Sequence, residues 1–335
     1  MRAIKYMLAA AIVLAGCGGA RAEPVKIRLA YIVPVSNWAT MLFQKPGLAK
    51  HLGKSYTFEA VHFQGTPQLV QAQAINELEI GDHGYSSLVF GIVNAGLNLR
   101  VIADELQDGV PGYYSNQYLV RKDSPIKTVD DLKGKILGVN AKGSGTDIPM
   151  RAMLRKHNIS DSDVTIVEAP IPAMPAMLAD RKIDLGALPL PFTADPRVKA
   201  NDRILFQQRD AAGISPLAFW AARASWIAKH RAALVDFLED VLRQERWYLD
   251  PANHKEAMEI AARVGKHPPA FYDHWLYVKD GEDGDYYRDP NGIPNLDAIQ
   301  ANVELQHKLG FAKQTIDVRK YTDLSLIKEA AARLN

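Results

Sequence analysis

The chain has 335 residues, of which 47% are hydrophobic, and it contains a single cysteine. Its 40 basic and 38 acidic residues give a formal net charge of +2 and are mixed along the chain. The length allows two globular lobes with a core in each, the single cysteine excludes an internal disulfide, and the mixed charge argues against nucleic acid as a partner.

The first segment has the order of an export signal. Arg2 and Lys5 precede an apolar stretch from Tyr6 to Ala15, and small and polar residues follow. The stretch is shorter than the about 20 apolar residues that a membrane-spanning helix needs. Charges interrupt every later apolar run. We therefore expect residues 1–22 to be a signal peptide and the mature protein to act in the periplasm.

Two processing signals overlap around Cys17, the only cysteine. The LAG tripeptide before it resembles the lipobox of bacterial lipoproteins, in which the cysteine is lipidated and becomes the new N-terminus. The ARA tripeptide at residues 20–22 is a site for an ordinary signal peptidase. The removed segment is residues 1–16 in the first case and 1–22 in the second. Both alternatives stay open, and the sequence favours lipidation of Cys17.

Strands and helices alternate through the first third of the mature chain. VKIRLAYIVP at 25–34 and YTFEAVHFQ at 56–64 are predicted strands, and an amphipathic helix is predicted between them, within residues 36–54. Thr66 is predicted to cap the next helix, with Pro67 at its first position. LRVIADEL at 99–106 is another strand. This alternation predicts an α/β domain with a largely parallel sheet.

The middle of the chain repeats this order. Predicted strands lie in KILGVN at 135–140, VTIVEAP at 164–170, IDLGALPLP at 183–191 and ILFQQ at 204–208, with helices between them, one of which starts after Gly145. SPLAFWAAR at 215–223 leads into mostly helical sequence. The longest predicted helix runs from Ser225 to Trp247.

Several of these motifs together resemble a known family. The segment 127–192 contains DLKGK, a Gly/Ser/Thr turn that opens a helix, and RKIDLGALPLP, and it resembles the second lobe of ABC-transporter periplasmic substrate-binding proteins of the nitrate, sulfonate and taurine class (NMT1/THI5-like). IGDHGYSSL and the C-terminal YTDLSLIKEAAARL also fit, so the resemblance covers nearly the whole mature chain. The sequence departs from the family at His83 and at Asp184-Leu185.

The resemblance implies a two-lobed periplasmic-binding-protein fold of type II, in which each lobe is a mostly parallel sheet flanked by helices. Lobe 1 is expected to comprise residues 25–115 and 218–335, and lobe 2 residues 116–217. Two hinge crossings are expected near Tyr114–Val120 and Gly213–Phe219. The expected partners are a small-molecule ligand and an ABC permease in the inner membrane. No cofactor or metal is expected, and the chain is expected to act as a monomer.

Four turns are candidates for ligand contact. In open α/β sheets, ligands lie beyond the carboxyl ends of the strands, where helix N-termini suit anions. The alternative is that the hydroxyl groups of these turns only cap helices. The residues are Ser36, Asn37 and Trp38; Gln64, Gly65 and Thr66; Tyr85 and Ser86; and Gly143, Ser144, Gly145 and Thr146.

Aromatic residues and one histidine lie near these turns. Trp38, Tyr113 and Phe192 are candidate walls for an apolar ligand body, although ordinary core packing explains each of them equally well. His83 is a candidate donor to an anionic ligand, with a local structural role as the more common alternative. No arginine clamp is evident, which favours neutralisation of the ligand by dipoles and hydroxyl groups.

Three segments resemble catalytic, cofactor-binding or metal-binding motifs, but none of them matches the motif in full. GDHGYSSL has Leu88 where a nucleophile elbow needs glycine, and GSGTDI has Ile148 where a dinucleotide fingerprint needs a small residue. KDGEDGDYYRDPNG at 279–292 lacks the spacing of a calcium loop and is predicted to be a solvated loop.

The predicted function is the extracytoplasmic solute-binding component of an ABC importer, and not an enzyme. It would capture a small organic anion of the sulfonate or carboxylate type in an interlobe cleft by hinge closure. Nitrate and a pyrimidine stay open as ligands. One alternative is an enzyme of the same fold, of the thiamine-pyrimidine or menaquinone type, but the pyrimidine synthases use a cysteine-rich motif that the mature chain lacks. Another alternative is a ligand-loaded partner of a membrane sensor.

Overall fold

The computed structural model describes residues 23–278 and 284–334. The predicted signal segment, including Cys17, lies outside the described residues. No helix within the described ranges combines the length and the apolar character that crossing a membrane requires.

The first sheet has five strands in the order β2-β1-β3-β10-β4. Its strands are β1 (Val25–Tyr31), β2 (Tyr56–His62), β3 (Ile80–His83), β4 (Leu99–Asp108) and β10 (Ser215–Arg223). Strand β1 pairs in parallel with β2 and β3, whereas β10 is antiparallel to both β3 and β4. Four strands therefore point one way and β10 points the other.

The second sheet repeats this plan in the order β7-β6-β8-β5-β9. Its strands are β5 (Gln117–Arg121), β6 (Ile136–Val139), β7 (Thr165–Glu168), β8 (Leu185–Leu188) and β9 (Asp202–Gln207). Strand β6 pairs in parallel with β7 and β8, and β5 is antiparallel to β8 and β9. Both sheets are thus mostly parallel, as the sequence resemblance implied, and each contains one reversed strand that the sequence did not predict.

Helices connect and flank the strands of both sheets. The α-helices are α1 (Trp38–Met41), α2 (Thr66–Ala74), α3 (Tyr85–Val89), α4 (Asp147–Lys156), α5 (Met174–Ala179), α6 (Pro196–Asn201), α7 (Gln208–Ala212), α8 (Ala224–Leu249), α9 (His254–Gly265), α10 (Pro269–Tyr272), α11 (Leu296–Lys308) and α12 (Ser325–Ala332). Helix α8 packs on α12 and β2. Its buried face includes Leu234, Phe237 and Leu238, which belong to the core of the first sheet.

The chain passes between the two sheets twice, from β4 to β5 and from β9 through α7 to β10. Hydrogen bonds at Asp108 stabilise the first passage. Its Oδ1 accepts from Ser115 Oγ (2.7 Å) and its Oδ2 accepts from the Asn116 N–H (2.6 Å). Burial raises the pKa of Asp108 to about 7. In the second passage, Gly213 adopts a φ of 68°, a left-handed conformation that glycine tolerates best.

The prediction of an amphipathic helix within residues 36–54 is correct only for a first turn and wrong for the residues that follow it. Helix α1 ends at Met41, because Phe43 adopts a φ of 66° and Gly47 a φ of 86°, which a right-handed helix cannot contain. The next helix also differs by one residue from the prediction. Gly65 is the N-cap of α2 and Thr66 is its first helical residue, so the Thr66 hydroxyl does not cap the helix.

The segment 279–292 was predicted to be a solvated loop, and its described part, residues 284–292, contradicts this. Asp285, Tyr286 and Arg288 are buried. The Tyr286 hydroxyl donates to Asn116 Oδ1 (2.6 Å), and Arg288 Nε pairs with Asp285 Oδ2 (3.0 Å). The charge-rich composition of this segment did not indicate that Tyr286 and Arg288 form hydrogen bonds inside the protein.

Candidate functional site

A cavity of ≈ 70 Å³ lies between the two sheets. This is several times the about 10–15 Å³ that one water molecule requires. The first sheet and its connections contribute one wall, and the second sheet and its connections contribute the other. Residues on the first side are Ile32, Val33, Ser36, Asn37, Thr66, Asp82, Leu106, Leu217, Ala218 and Tyr286; those on the second are Asn116, Asn140, Ser144, Gly145, Thr146, Ile171, Pro189 and Leu190.

The loop after β1 supplies two of the predicted contacts. Asn37 Oδ1 accepts hydrogen bonds from the N–H groups of Ile32 (3.1 Å) and Val33 (2.8 Å), which fixes the loop against the end of the strand. Ser36 Oγ donates to the Leu190 carbonyl (2.9 Å) and so joins the two sheets. Both side chains therefore line the cavity while they are held in place by other groups.

A second contact between the lobes forms at the start of α2. Gln64 Nε2 donates to the Asn140 carbonyl (3.2 Å), and Asn140 Nδ2 donates to the Gln64 carbonyl (3.0 Å). Gly65 lies so close to the other lobe that a Cβ atom there would be 2.9 Å from the Ala141 Cβ. The two lobes are therefore in direct contact beside the cavity, which Asn140 lines, whereas Gln64 and Gly65 do not line it.

Asn140 organises the turn before α4. Its Oδ1 accepts from Ser144 Oγ (2.8 Å) and Thr146 Oγ1 (2.7 Å), and these two hydroxyl oxygens are 3.2 Å apart. The predicted contacts Ser144, Gly145 and Thr146 all line the cavity. Gly143 does not; its N–H donates to Asp147 Oδ2 (2.8 Å).

Thr66 differs from these hydroxyl groups because its Oγ1 is buried and has no hydrogen-bond partner. Thr66 lines the cavity at the first turn of α2. A buried hydroxyl without a partner is costly, and a bound ligand would satisfy it.

One carboxyl group lines the cavity. Asp82, at the end of β3, is only 2% exposed and its Oδ1 has no partner. Burial, the negative charge of Glu105 and a hydrogen bond with Glu105 raise the pKa of Asp82 well above its usual range. Glu105 itself accepts from Trp220 Nε1 (2.8 Å) and from the Trp38 N–H. No lysine, arginine or histidine is present among the described residues that line the cavity.

Other predicted contacts lie outside this cavity. Trp38 is a core residue, stacked on Tyr277 with ring centroids 5.4 Å apart. His83 is fully buried, and its ring nitrogens contact Gln73 Oε1 (2.7 Å) and Ser87 Oγ (3.1 Å). Burial lowers the pKa of His83 to about 3, so the imidazole is neutral in its local structural role.

The remaining predicted ligand contacts also lie outside the cavity between the sheets. Tyr85 is buried in the core. Tyr113 packs edge-on against Tyr287, and Phe192 packs against the core around Leu188. Ser86 and Gly143 line a separate cavity of ≈ 300 Å³.

Sequence reasoning missed four polar residues of the cavity, namely Asp82, Asn116, Asn140 and Tyr286. Asp82 and Asn140 carried a usable signal, since each is a polar residue at the end of an apolar strand. Asn116 and Tyr286 carried none, because a hydrogen bond between residues 170 positions apart brings them together.

Solved structures with the same architecture show the class of fold. The alkanesulfonate-binding protein SsuA from Xanthomonas axonopodis pv. citri, bound to MOPS, is 18% identical; the match covers 91% of this chain and 100% of that chain, with a TM-score of 0.70. The periplasmic nitrate-binding protein NrtA from Synechocystis PCC 6803 is 14% identical; the match covers 93% of this chain and 90% of that chain, with a TM-score of 0.72. The desulfurization enzyme DSZB is 12% identical; the match covers 93% of this chain and 100% of that chain, with a TM-score of 0.65. The protein therefore has the two-lobed α/β fold of periplasmic binding proteins, a fold that an enzyme also uses.

The sequence itself identifies the family. The model of the NMT1-like family matches residues 20–262, which is more than half of the chain. The chain belongs to the NMT1-like family. No curated protein matches it in sequence.

Proposed function

We propose that this chain is the extracytoplasmic solute-binding component of an ABC importer and holds a small organic anion, of the sulfonate or carboxylate type, between its two sheets. The observation that carries the proposal is the cavity, which residues at strand ends and helix starts line from both lobes. This is where open α/β sheets bind ligands. Membership of the NMT1-like family and the likeness to sulfonate- and nitrate-binding proteins support it.

The anion would be neutralised by dipoles and hydrogen-bond donors. The first turns of α2 and α4 lie at the cavity through Thr66 and Thr146, and helix N-termini attract negative charge. The Thr66 hydroxyl is a free donor. Arg288 adds positive charge behind the β1 loop, where its Nη2 donates to the Ser36 carbonyl (2.9 Å).

Binding would couple to closure of the lobes. A ligand that contacts both sheets favours the closed state by its additional contacts there. The hydrogen bonds from Ser36 to Leu190 and between Gln64 and Asn140 would form in the same movement. We infer that the hinges between the two lobes lie in the two passages of the chain, between Asp108 and Gln117 and between Ala212 and Ser215.

We further propose that the protein works in the periplasm as a monomer, delivers its ligand to an inner-membrane ABC permease, and has no enzymatic activity. Among the residues that the structure describes, those that line the cavity include neither a histidine nor a cysteine, which nucleophilic mechanisms commonly use. Lipidation of Cys17 would anchor the protein to the membrane, whereas cleavage after Ala22 would release it. The mass of the mature N-terminus distinguishes these two forms.

A thermal-melting screen of the mature protein against sulfonates, carboxylates, amines and pyrimidines tests the proposal. A ligand at about 100 times its Kd stabilises the folded protein by about 2.7 kcal/mol. We expect at least one sulfonate or carboxylate to raise the Tm. If only pyrimidines or simple amines do so, the anion assignment is wrong, and if no compound does, the solute-binding role is wrong.

A further inference from the structure

A second cavity, of ≈ 300 Å³, lies beside the cavity between the sheets, and the proposed function does not use it. Its walls come from α2, α3 and the end of α11 in the first lobe and from residues 142–148 of the second lobe. Small-molecule sites commonly have volumes of about 300–1,000 Å³, so this cavity is large enough for a small ligand. The two cavities share no lining residue, since Gly143 lines the second and Ser144, Gly145 and Thr146 line the first.

Two buried polar atoms in the lining of the second cavity have no hydrogen-bond partner among the residues that the structure describes. They are Ser86 Oγ and Gln306 Oε1. Ser86 is 1% exposed and Gln306 is 5% exposed. Because an unpaired buried polar atom is costly, a ligand that forms hydrogen bonds with these two atoms gains binding free energy.

Helix geometry places both side chains at the second cavity. Ser86 precedes Val89 and Phe90 by three and four residues in the helical run that starts with α3, and all three residues line the cavity. Gln306 follows Val303 by three residues on α11, and Val303 packs in one core with Val89. Ser86 and Gln306 therefore lie on the helix faces that meet at the cavity.

The chemistry of these two residues favours a hydroxyl group on the ligand. The Gln306 side-chain oxygen is an acceptor and needs a donor, whereas the Ser86 hydroxyl can both donate and accept. A hydroxyl group supplies the donor for Gln306 and fits either role of Ser86.

The rest of the lining indicates an aromatic acid. Phe90 and Phe311 supply aromatic surface, and Ile148 supplies buried apolar surface. Lys142 is the charged residue of the described lining and is exposed, so its ammonium group is available to a carboxylate. Glu168 accepts a hydrogen bond from the Lys142 backbone but does not line the cavity.

We propose that the second cavity binds a hydroxylated aromatic acid of the hydroxybenzoate type, at a site separate from that of the transported anion. The ring contacts Phe90 and Phe311. The hydroxyl group bonds to Ser86 and Gln306, and the carboxylate faces Lys142. Because both lobes line the cavity, such a ligand also favours contact between the lobes.

Calorimetric titration of the mature protein with 4-hydroxybenzoate and with benzoate tests the inference. We expect 4-hydroxybenzoate to bind, and benzoate to bind about tenfold or more weakly, because it lacks the hydroxyl group that forms two hydrogen bonds. No binding of 4-hydroxybenzoate, or equal affinities for the two acids, would overturn the inference. Neither result decides whether an anion binds the first cavity, which the melting screen tests separately.

A variant of the first cavity distinguishes the two sites. Gly145 lines the first cavity only, and a leucine there fills its space, since a Cβ atom is already 3.2 Å from Leu217 Cδ1. We expect Gly145→Leu to bind 4-hydroxybenzoate like the wild type. Loss of this binding in a folded Gly145→Leu variant would assign the compound to the first cavity and overturn the inference.

Two neighbouring serines provide a matched pair of variants. Ser86→Ala removes the unpaired hydroxyl and is expected to weaken binding of 4-hydroxybenzoate about three- to tenfold without lowering the Tm of the free protein. Ser87 also lines the second cavity, but its Oγ donates to the Gly84 carbonyl (3.1 Å) and contacts His83 Nδ1 (3.1 Å). Ser87→Ala should therefore lower the Tm and leave the affinity unchanged.

The double variant Ser86→Ala/Gln306→Leu removes both unpaired atoms. We expect it to bind 4-hydroxybenzoate and benzoate with equal affinity. A folded double variant that keeps the preference for 4-hydroxybenzoate would contradict the inference, as would a Ser87→Ala variant that weakens binding as much as Ser86→Ala does.

Discussion

At the scale of single residues, the cavity contains two kinds of hydroxyl group. Ser144 and Thr146 are bonded to Asn140, so their removal costs stability as well as affinity. Thr66 Oγ1 has no hydrogen-bond partner among the residues that the structure describes, so its removal should cost affinity alone.

Thr66→Val therefore isolates the ligand contact. Valine keeps the shape of threonine, and we expect the Tm of the free protein to change little. The binding free energy for the anion should weaken by about 1.5–3 kcal/mol, the value of a hydrogen bond to a charged group, which is a loss of affinity of about 10- to 150-fold. Calorimetry with the tightest anion of the melting screen measures the change.

Thr165→Val is the matched control, because Thr165 is exposed at the start of β7. This control should bind like the wild type. If Thr66→Val binds equally well, the ligand does not contact Thr66.

The buried acid Asp104 predicts a dependence of stability on pH. Burial raises its pKa to about 8, whereas its usual value is 3.8. Between these values the folded state keeps a proton that the unfolded state has lost. The free energy of unfolding should therefore fall as the pH rises from about 4 to about 8, by up to about 1.4 kcal/mol per pH unit for this group.

Asp104→Asn cannot ionise and can still accept from Gln107 Nε2, which donates to Asp104 Oδ2 (3.0 Å) in the wild type. Urea unfolding at pH 5 and pH 9 should show that the variant loses less stability than the wild type over this interval. Equal losses in the two proteins would mean that Asp104 is ionised in the folded state at neutral pH.

The residues that sequence reasoning placed at the cavity share one signal. Ser36, Asn37, Ser144 and Thr146 lie between a strand and the helix that follows, and Thr66 is the first residue of such a helix. Ligands of open α/β sheets bind at these positions. The aromatic candidates failed to reach the cavity because an aromatic ring beside a turn packs equally well into a core. Trp38 shows this, since it is 1% exposed and stacked on Tyr277.

At the scale of elements, Gly65 before α2 controls how closely the lobes approach. A Cβ atom there would be 2.9 Å from the Ala141 Cβ, which is closer than carbon atoms pack. The Ala141 side chain has no rotamer that relieves the contact. We predict that Gly65→Ala holds the lobes apart, weakens anion binding about tenfold or more and leaves the Tm of the ligand-free protein nearly unchanged.

Gly134→Ala provides the opposite control. Gly134 has a φ of 75° and open space where the methyl group of an alanine would lie, so alanine strains the backbone by about 1 kcal/mol without touching the other lobe. This control should melt at a lower temperature and bind normally. Normal binding by Gly65→Ala would show that the close approach at Gly65 is not needed for function.

The alternation of strands and helices was predictable, but the reversed strand in each sheet was not. Strand β10 is apolar, like a central parallel strand, yet it enters the first sheet antiparallel after the chain returns from the second. Direction depends on the path of the chain between lobes, which no local pattern encodes. The early end of α1 was also not predictable. Phe43 ends the helix by adopting a positive φ, a conformation that phenylalanine disfavours and that its residue type therefore does not indicate.

At the scale of the whole molecule, two sheets of the same plan have a cavity between them, and the chain belongs to the NMT1-like family. The resemblance found in the sequence predicted this plan because the order of many loose motifs is more specific than any one of them. It could not predict the chemistry of the cavity, since Asp82, Asn116, Asn140 and Tyr286 come together only in the folded chain.

Calorimetric titration of the wild type and of Gly145→Leu tests most directly that the solute binds between the sheets. Gly145 lines the cavity, and a Cβ atom there is already 3.2 Å from Leu217 Cδ1, so a leucine side chain would fill the space. We predict that the anion that gives the largest shift in the melting screen binds one site on the wild type and gives no binding heat with Gly145→Leu. Unchanged binding to a folded Gly145→Leu variant would contradict the account.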